Sequence, residues 1–160
     1  MTKFLKTNYN QTIAYNKIDG EQLGIVFLSG LKSDMTGQKA VALEEWAVEN
    51  NHSFLRFDYS GHGISSGKFE SFVISDWILD AKTIITKLTK GPQILVGSSM
   101  GGWIMLALAK KKLVNVPLFL SQKFHSHLKL LDVLNKFSVM TWLYGTHNYL
   151  NLSAQRLGET

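Results

Sequence analysis

"ILVGSSMGGW", residues 94–103, runs from large apolar side chains straight into two serines set among glycines. Read from Gly97 it fits G-x-S-x-G as Gly97-Ser98-Ser99-Met100-Gly101, with Ser99 at the centre and Ser98 at the variable position. A serine attacks a carbonyl only when its oxygen is exposed, a base takes its proton and backbone N–H groups await the developing oxyanion. A nucleophile elbow meets the first and third needs: a strained strand-to-helix turn lifts the serine, and glycines two before and two after let neighbouring backbone pass close by. Ser99 is therefore the candidate nucleophile and Gly97 and Gly101 the elbow glycines. The helix expected to begin after Ser99 favours negative charge at its N-terminus, so the Met100 N–H is the first oxyanion donor. Ser98 is expected to point toward the packed interior.

Gly and Ser are common, so the motif needs its surroundings. "LGIVFLSG" (23–30), "SFLRF" (53–57) and "QILV" (93–96) are short apolar runs that predict buried strands. Between them, "TGQKAVALEEWAVENN" (36–51) puts Ala40, Leu43, Trp46 and Ala47 on one face and Glu44, Glu45 and Glu49 mostly away from it, with Thr36 as N-cap. Further helices are predicted over 75–91, closed by Lys90-Gly91, and over 101–112. Strands alternating with helices of this length indicate an α/β fold, a mostly parallel sheet with right-handed crossovers and helices on both faces. Ligands bind such sheets at the carboxyl ends of the strands, where the loops "SGLKSDMTG", "DYSGHGISSG" and "GSSMGG" meet.

The composition, 45% hydrophobic and 18% charged over 160 residues, is that of one soluble globular domain. "MTKFLKTNYNQTIAYNKI" has no apolar signal core, and the densest apolar run, Gly101 to Ala109, is about half a bilayer span, so a cytoplasmic location without membrane insertion is expected. With no cysteine, a disulfide framework, a thiol nucleophile and a cysteine metal site are excluded. The net charge of +5 raises the question of nucleic acid. Its lysines are scattered, however, and the cluster Lys110-Lys111-Lys112 sits where a helix end welcomes cations. No nucleic-acid partner is expected. Nor is a nucleotide: "GSSMGGW" lacks the lysine of a phosphate-binding P-loop, and "SGHGISSG" opens no dinucleotide-binding unit at the first strand.

With these residues in view, the chain resembles the α/β-hydrolase superfamily, in particular the ABHD10-like group of acyl-protein thioesterases and acyl-glucuronide esterases and its bacterial relatives. The resemblance covers about residues 20–112 and rests on three stretches in order: "FLSGLKSDMTGQKA" after the third strand of that fold, "RFDYSGHGISSG" after the fourth and "GPQILVGSSMGGW" at the elbow. It implies hydrolysis of a small-molecule or acylated-protein ester or thioester through an acyl-enzyme, with no cofactor and no metal. By position, Ser99 is then the nucleophile, and the N–H groups of Met100 and Leu31 form the oxyanion hole. Asp58 and His62 lie near the same sheet edge, but in this family their loop is structural, with Asp58 fixing it. Trp46 and Trp103 are expected in the core.

In this fold the acid and the histidine follow the serine, each after a further strand. Three more strands with their crossovers and a cap take about 120 residues of ordinary elements, roughly twice the span from Met100 to Thr160. The composition also changes: the segment after Asn115 holds two acids, Asp132 and Glu159, against ten in residues 1–112. Residues 1–112 are thus expected to be the N-terminal part of the hydrolase domain, and 113–160 a divergent tail such as a frameshift leaves. A short complete enzyme would have to use Asp132 with His125, His127 or His147, of which only His147 obeys the chain order. The other outcomes are a chain of impaired activity and an inactive binding module. Missing strands would leave an apolar sheet edge through which copies of the chain could self-associate.

Overall fold

The structure, a computed structural model, describes residues 1–110. The tail from 113 onward, with Asp132, His125, His127 and His147, lies outside the described residues. Strand β1 (Lys3–Lys6) and strand β2 (Thr12–Ile18) form a hairpin, followed by β3 (Gln22–Leu28), helix α1 (Gln38–Glu49), β4 (His52–Phe57), α2 (Ile74–Leu88), β5 (Gln93–Gly97) and α3 (Met100–Lys110). The sheet order is β1-β2-β4-β3-β5. The three expected strands are parallel, with Ile25 of β3 opposite both Phe54 of β4 and Ile94 of β5. The hairpin adds two antiparallel strands, β2 pairing with β4, which makes the sheet mixed.

Alternation along each strand sorts the core into two layers. Ile25, Phe27, Phe54, Ile94 and Val96 face α1, where they meet Ala40, Leu43, Trp46 and Ala47, the four residues expected on that helix face. Val26, Leu28, Leu55, Phe57 and Leu95 face the opposite side, against Trp77, Ala81 and Ile84 of α2 and Ile104, Met105 and Leu108 of α3. Because β3, β4 and β5 run parallel, the loops that follow them emerge at one edge of the sheet. That edge carries Ser99.

Some local expectations are corrected. Gly37, not Thr36, is the N-cap of α1, because Asp34 Oδ1 accepts both the Thr36 N–H, at 2.7 Å, and its hydroxyl, at 2.6 Å. At the start of α2 the Asp76 carboxylate reaches back to the Val73 N–H at 2.9 Å, half of a capping box. Trp103 is 70% exposed rather than in the core. The helix that carries it is apolar nearly all round, so sequence periodicity could not pick its buried side.

One buried carboxylate ties the hairpin to the helix layer. Asp80, on α2, accepts the Tyr9 hydroxyl at 2.8 Å, the Ser60 N–H at 2.8 Å and the Ser60 hydroxyl at 3.1 Å, and is fully buried. Burial raises its pKa above the ordinary carboxylate value against the pull of these donors. Asp80→Ala leaves a buried N–H and a phenol without an acceptor and should cost about 3 kcal/mol, against about 1 kcal/mol for Tyr9→Phe. Urea unfolding checks this. An Asp80→Ala midpoint equal to the parent's would contradict it.

Candidate active site at the carboxyl edge of the sheet

Strand β5 ends at Gly97, and the chain turns into α3 within two residues. The Ser98 N–H donates to the Leu28 carbonyl at 3.0 Å, which extends the β3–β5 ladder one step into the turn. The Ser98 and Ser99 carbonyls then accept the N–H groups of Gly101 and Gly102 at 2.9 Å each, and the helix has begun. Between them Ser99 has φ +52°, the left-handed region, which costs a residue with a Cβ about 1–2 kcal/mol. Close packing holds it there. A Cβ on Gly97 would lie 2.5 Å from Gly102 N, and one on Gly101 would collide with the Leu28 carbonyl. The result is an exposed Ser99 at the tip of a strained strand-to-helix turn.

The loop after β3 lies beside this turn. A side chain added at Gly30 would come within 3.5 Å of Ser99 Cβ and 3.4 Å of the Ser98 carbonyl oxygen. Among the described residues, neither the Leu31 N–H nor the Met100 N–H donates a hydrogen bond. Two backbone donors are thus left over on the two segments that flank Ser99. Ser98 is only half-buried, and its Oγ receives a hydrogen bond from Lys39 Nζ at 3.2 Å, so it faces the α1 side rather than the interior. This corrects the expectation: Ser98 continues the β5 alternation of Ile94 and Val96, which places its side chain on the α1 side beside the first turn of that helix.

Asp58 and Arg56 fix the loop after β3 from β4. The Met35 N–H donates to Asp58 Oδ1 at 2.6 Å, and the Met35 carbonyl accepts from Arg56 Nη1. Arg56 is itself held by Glu44 of α1 in a two-pronged pair of 2.6 and 2.7 Å, so Glu44 does not face away as its spacing suggested. The other Asp58 oxygen accepts the Ile64 N–H at 3.0 Å. Asp58 therefore ties two loops together, the structural role expected of it. His62 is buried, with Nδ1 3.3 Å from the Ser60 carbonyl and its ring edge-on to Tyr59, Phe69 and Trp77. Neither is bonded to Ser99. Sequence reasoning missed Arg56, Met35 and Lys39; the one available signal was an arginine inside an otherwise apolar strand, which demands a buried acceptor.

A larger cleft, about 780 Å³, opens at the amino ends of the strands, between Gly20, Gln22, Lys87, Lys90 and Gln93. It lies at the sheet edge opposite Ser99 and holds none of the elbow or loop donors. The carboxyl edge remains the site that sequence and geometry single out together.

The alpha/beta hydrolase family matches residues 25–153. The palmitoyl-protein thioesterase ABHD10, mitochondrial, of Rattus norvegicus is 45% identical over 106 residues, which is 66% of this chain and 36% of that protein. Its Homo sapiens counterpart is 48% identical over 97 residues, 61% of this chain and 32% of that protein. The chain thus spans about a third of the length of the curated relatives it matches. Among solved structures, alpha/beta hydrolase domain-containing protein 10 from mouse superposes with a TM-score of 0.70 at 41% identity, covering 73% of this chain and 47% of that one. The expectation of a cytoplasmic location is overturned, because these curated relatives are named mitochondrial. It rested on the lack of an apolar signal core, a feature of secretion; mitochondrial import reads amphipathic, Arg- and Ser-rich segments instead. Among the described residues no helix is long and apolar enough to cross a membrane.

The Asp58 clamp makes a pH prediction. Burial raises its carboxyl pKa, while the Ile64 and Met35 N–H groups pull the other way. With the folded value above the unfolded value of about 3.9, its contribution to stability is fully present below the unfolded value and is lost as pH rises through the folded one. From about pH 4 to about pH 7, the unfolding free energy of the parent should therefore fall relative to that of Asp58→Asn, whose side chain does not titrate. Urea titrations at a series of pH values measure it, and a difference that grows with pH would contradict it.

Proposed function

We infer, because the chain belongs to the alpha/beta hydrolase family, that it is a serine hydrolase of carboxylic esters or thioesters acting through an acyl-enzyme on Ser99. The observation that carries this is the left-handed, exposed Ser99 at the carboxyl end of β5, with the Met100 N–H at the start of α3 directly after it. In this proposal Ser99 Oγ attacks the acyl carbon, and the carbonyl oxygen gains negative charge opposite the Met100 and Leu31 N–H groups. The C–S or C–O bond then breaks, and the proton from Oγ passes through a base to the leaving thiolate or alkoxide. Water cleaves the acyl-serine to release the acid. Donors set for the charged intermediate and not for the ground state are worth about 10²–10³ in rate each.

The printed name of the relatives, palmitoyl-protein thioesterase, supports an acyl thioester as the substrate class, on either a protein or a small carrier. Among the described residues neither Asp58 nor His62 hydrogen-bonds Ser99, and we place the base and acid outside them. Asp132 with His147 is the pair in family order. We expect that pair not to form a working triad, which leaves acylation slow, since loss of base and acid costs several orders of magnitude.

A short-chain acyl thioester in excess, followed by mass spectrometry of the acid-quenched protein, tests this. A weak turnover is expected, with an acyl adduct on the peptide containing Ser99. Ser99→Ala should abolish both, whereas Ser98→Ala and His147→Ala should leave the rate within about threefold, because neither removes an oxyanion donor or the nucleophile. Adduct and turnover that survive Ser99→Ala would overturn the assignment. Robust turnover lost in both Ser99→Ala and His147→Ala would show a complete triad instead.

A further inference from the structure

Behind the elbow, on the α1 side of the sheet, a solvent-open cleft of about 260 Å³ is lined in part by Ser29, Gly30, Gly37, Gln38, Lys39 and Ser98. Ser99 does not line it, so it is separate from the space in front of the candidate nucleophile. We propose that this cavity binds a small oxyanion, a carboxylate or a phosphate, between Lys39, Ser98 Oγ, Ser29 Oγ and the first turn of α1. The inference goes beyond the reading of Ser99 and does not depend on it.

Beside Phe27, Ala40 and the acid Asp34, the side chains of the wall, those of Ser29, Ser33, Gln38, Lys39 and Ser98, can all donate hydrogen bonds. Ser29 is 2% exposed, and its Oγ has no hydrogen-bond partner among the described residues. A buried hydroxyl without a partner costs free energy that a bound acceptor would recover. Among the described residues Lys39 Nζ makes a single hydrogen bond, 3.2 Å to Ser98 Oγ, and none of them takes its other ammonium protons. The twelve-residue helix α1 begins at this cavity with no acid in its first turn and, among the described residues, no side chain capping it. Its Gln38 and Lys39 N–H groups donate to nothing among the described residues, whereas the Ala40 N–H already turns back to the Gly37 carbonyl at 3.0 Å. Free helix N–H groups, the dipole behind them, an ammonium and two hydroxyls are all complementary to a ligand that only accepts.

Among the described residues the one acid on the rim is Asp34, whose Oδ1 accepts the Thr36 N–H and hydroxyl. The cavity is smaller than the roughly 300 Å³ at which drug-sized pockets begin, so it suits a small ion with its waters and not an acyl chain. An ion bound there would touch β3, α1 and the turn before Ser99 at once.

Amide spectra of the full ¹⁵N-labelled chain, titrated with sodium acetate and, in a separate arm, sodium phosphate, against sodium chloride at constant ionic strength, test the proposal. Saturable shifts at the Lys39 and Ser98 amides are expected with one or both oxyanions and not with chloride. The arm that saturates at lower concentration identifies carboxylate or phosphate as the preferred chemistry. Lys39→Met should weaken binding about tenfold or more, and Ser29→Ala several-fold, each removing one donor to a charged acceptor. Lys39→Arg keeps the charge and should stay within about threefold of the parent, which preserves the test should the methionine variant fold poorly. Ser99→Ala should bind like the parent, so a failed titration leaves the hydrolase assignment standing. No saturable shift with either oxyanion, or equal binding by Lys39→Met and Lys39→Arg, would overturn the site.

Discussion

The first turn of α3 lies so close to the end of β3 that only glycine fits at Gly101, against the Leu28 carbonyl, and Gly97 in turn backs onto Gly101 and Gly102. The rest of the site depends on that approach. The Leu28 carbonyl also accepts the Ser98 N–H, so the last rung of the β3–β5 ladder and the first turn of the helix share one carbonyl. With strand and helix pinned this closely, two residues must reverse the chain, and Ser99 takes the left-handed conformation that does so. The strain is held by packing from both sides: Met100, Ile104, Met105 and Leu108 bury the helix against Val26, Leu28 and Leu95. Exposure of Ser99 is thus a consequence of core packing and not of a flexible loop.

A second constraint places what faces the serine. The loop after β3 is held by both sides of one residue, Met35, whose N–H goes to Asp58 and whose carbonyl goes to Arg56. Arg56 is largely buried and is neutralised by the two-pronged contact with Glu44. A buried pair of this kind adds little net stability, because desolvation offsets most of its attraction, but it admits few alternative geometries. Its effect here is positional: α1, β4 and the Leu31 segment are locked in one arrangement beside the elbow.

Much of this was readable from residue order. Val26 and Leu28 against Ile25 and Phe27 in β3, and Ala40, Leu43, Trp46 and Ala47 in α1, follow the periods that their surroundings impose, and the glycine-serine spacing located the turn. The β1–β2 hairpin was not legible, because "TIAYNKI" mixes buried Ile13 and Ala14 with polar neighbours and lacks a clean alternation. Glu44 and Arg56 read as a solvent-facing acid and a strand residue; their pairing depends on how α1 crosses β4, which no local pattern encodes. Ser98 and Trp103 were also misplaced. Trp103 lies on a helix that is apolar nearly all round, and Ser98 continues the β5 alternation of Ile94 and Val96 on the α1 side.

Unfolding of Gly101→Ala, compared with Gly37→Ala as a control, tests the close approach most directly. Gly37 has φ −58° and room for a methyl group, its nearest new contact being 3.5 Å, so its replacement should shift stability by about 1 kcal/mol or less. Gly101→Ala must push β3 and α3 apart or distort the turn, and should lose about 3 kcal/mol or more. That loss, read from chemical denaturation of the full chain, is the predicted result. A Gly101→Ala protein as stable as Gly37→Ala would contradict the account, because the backbone contact that fixes Ser99 would then not exist.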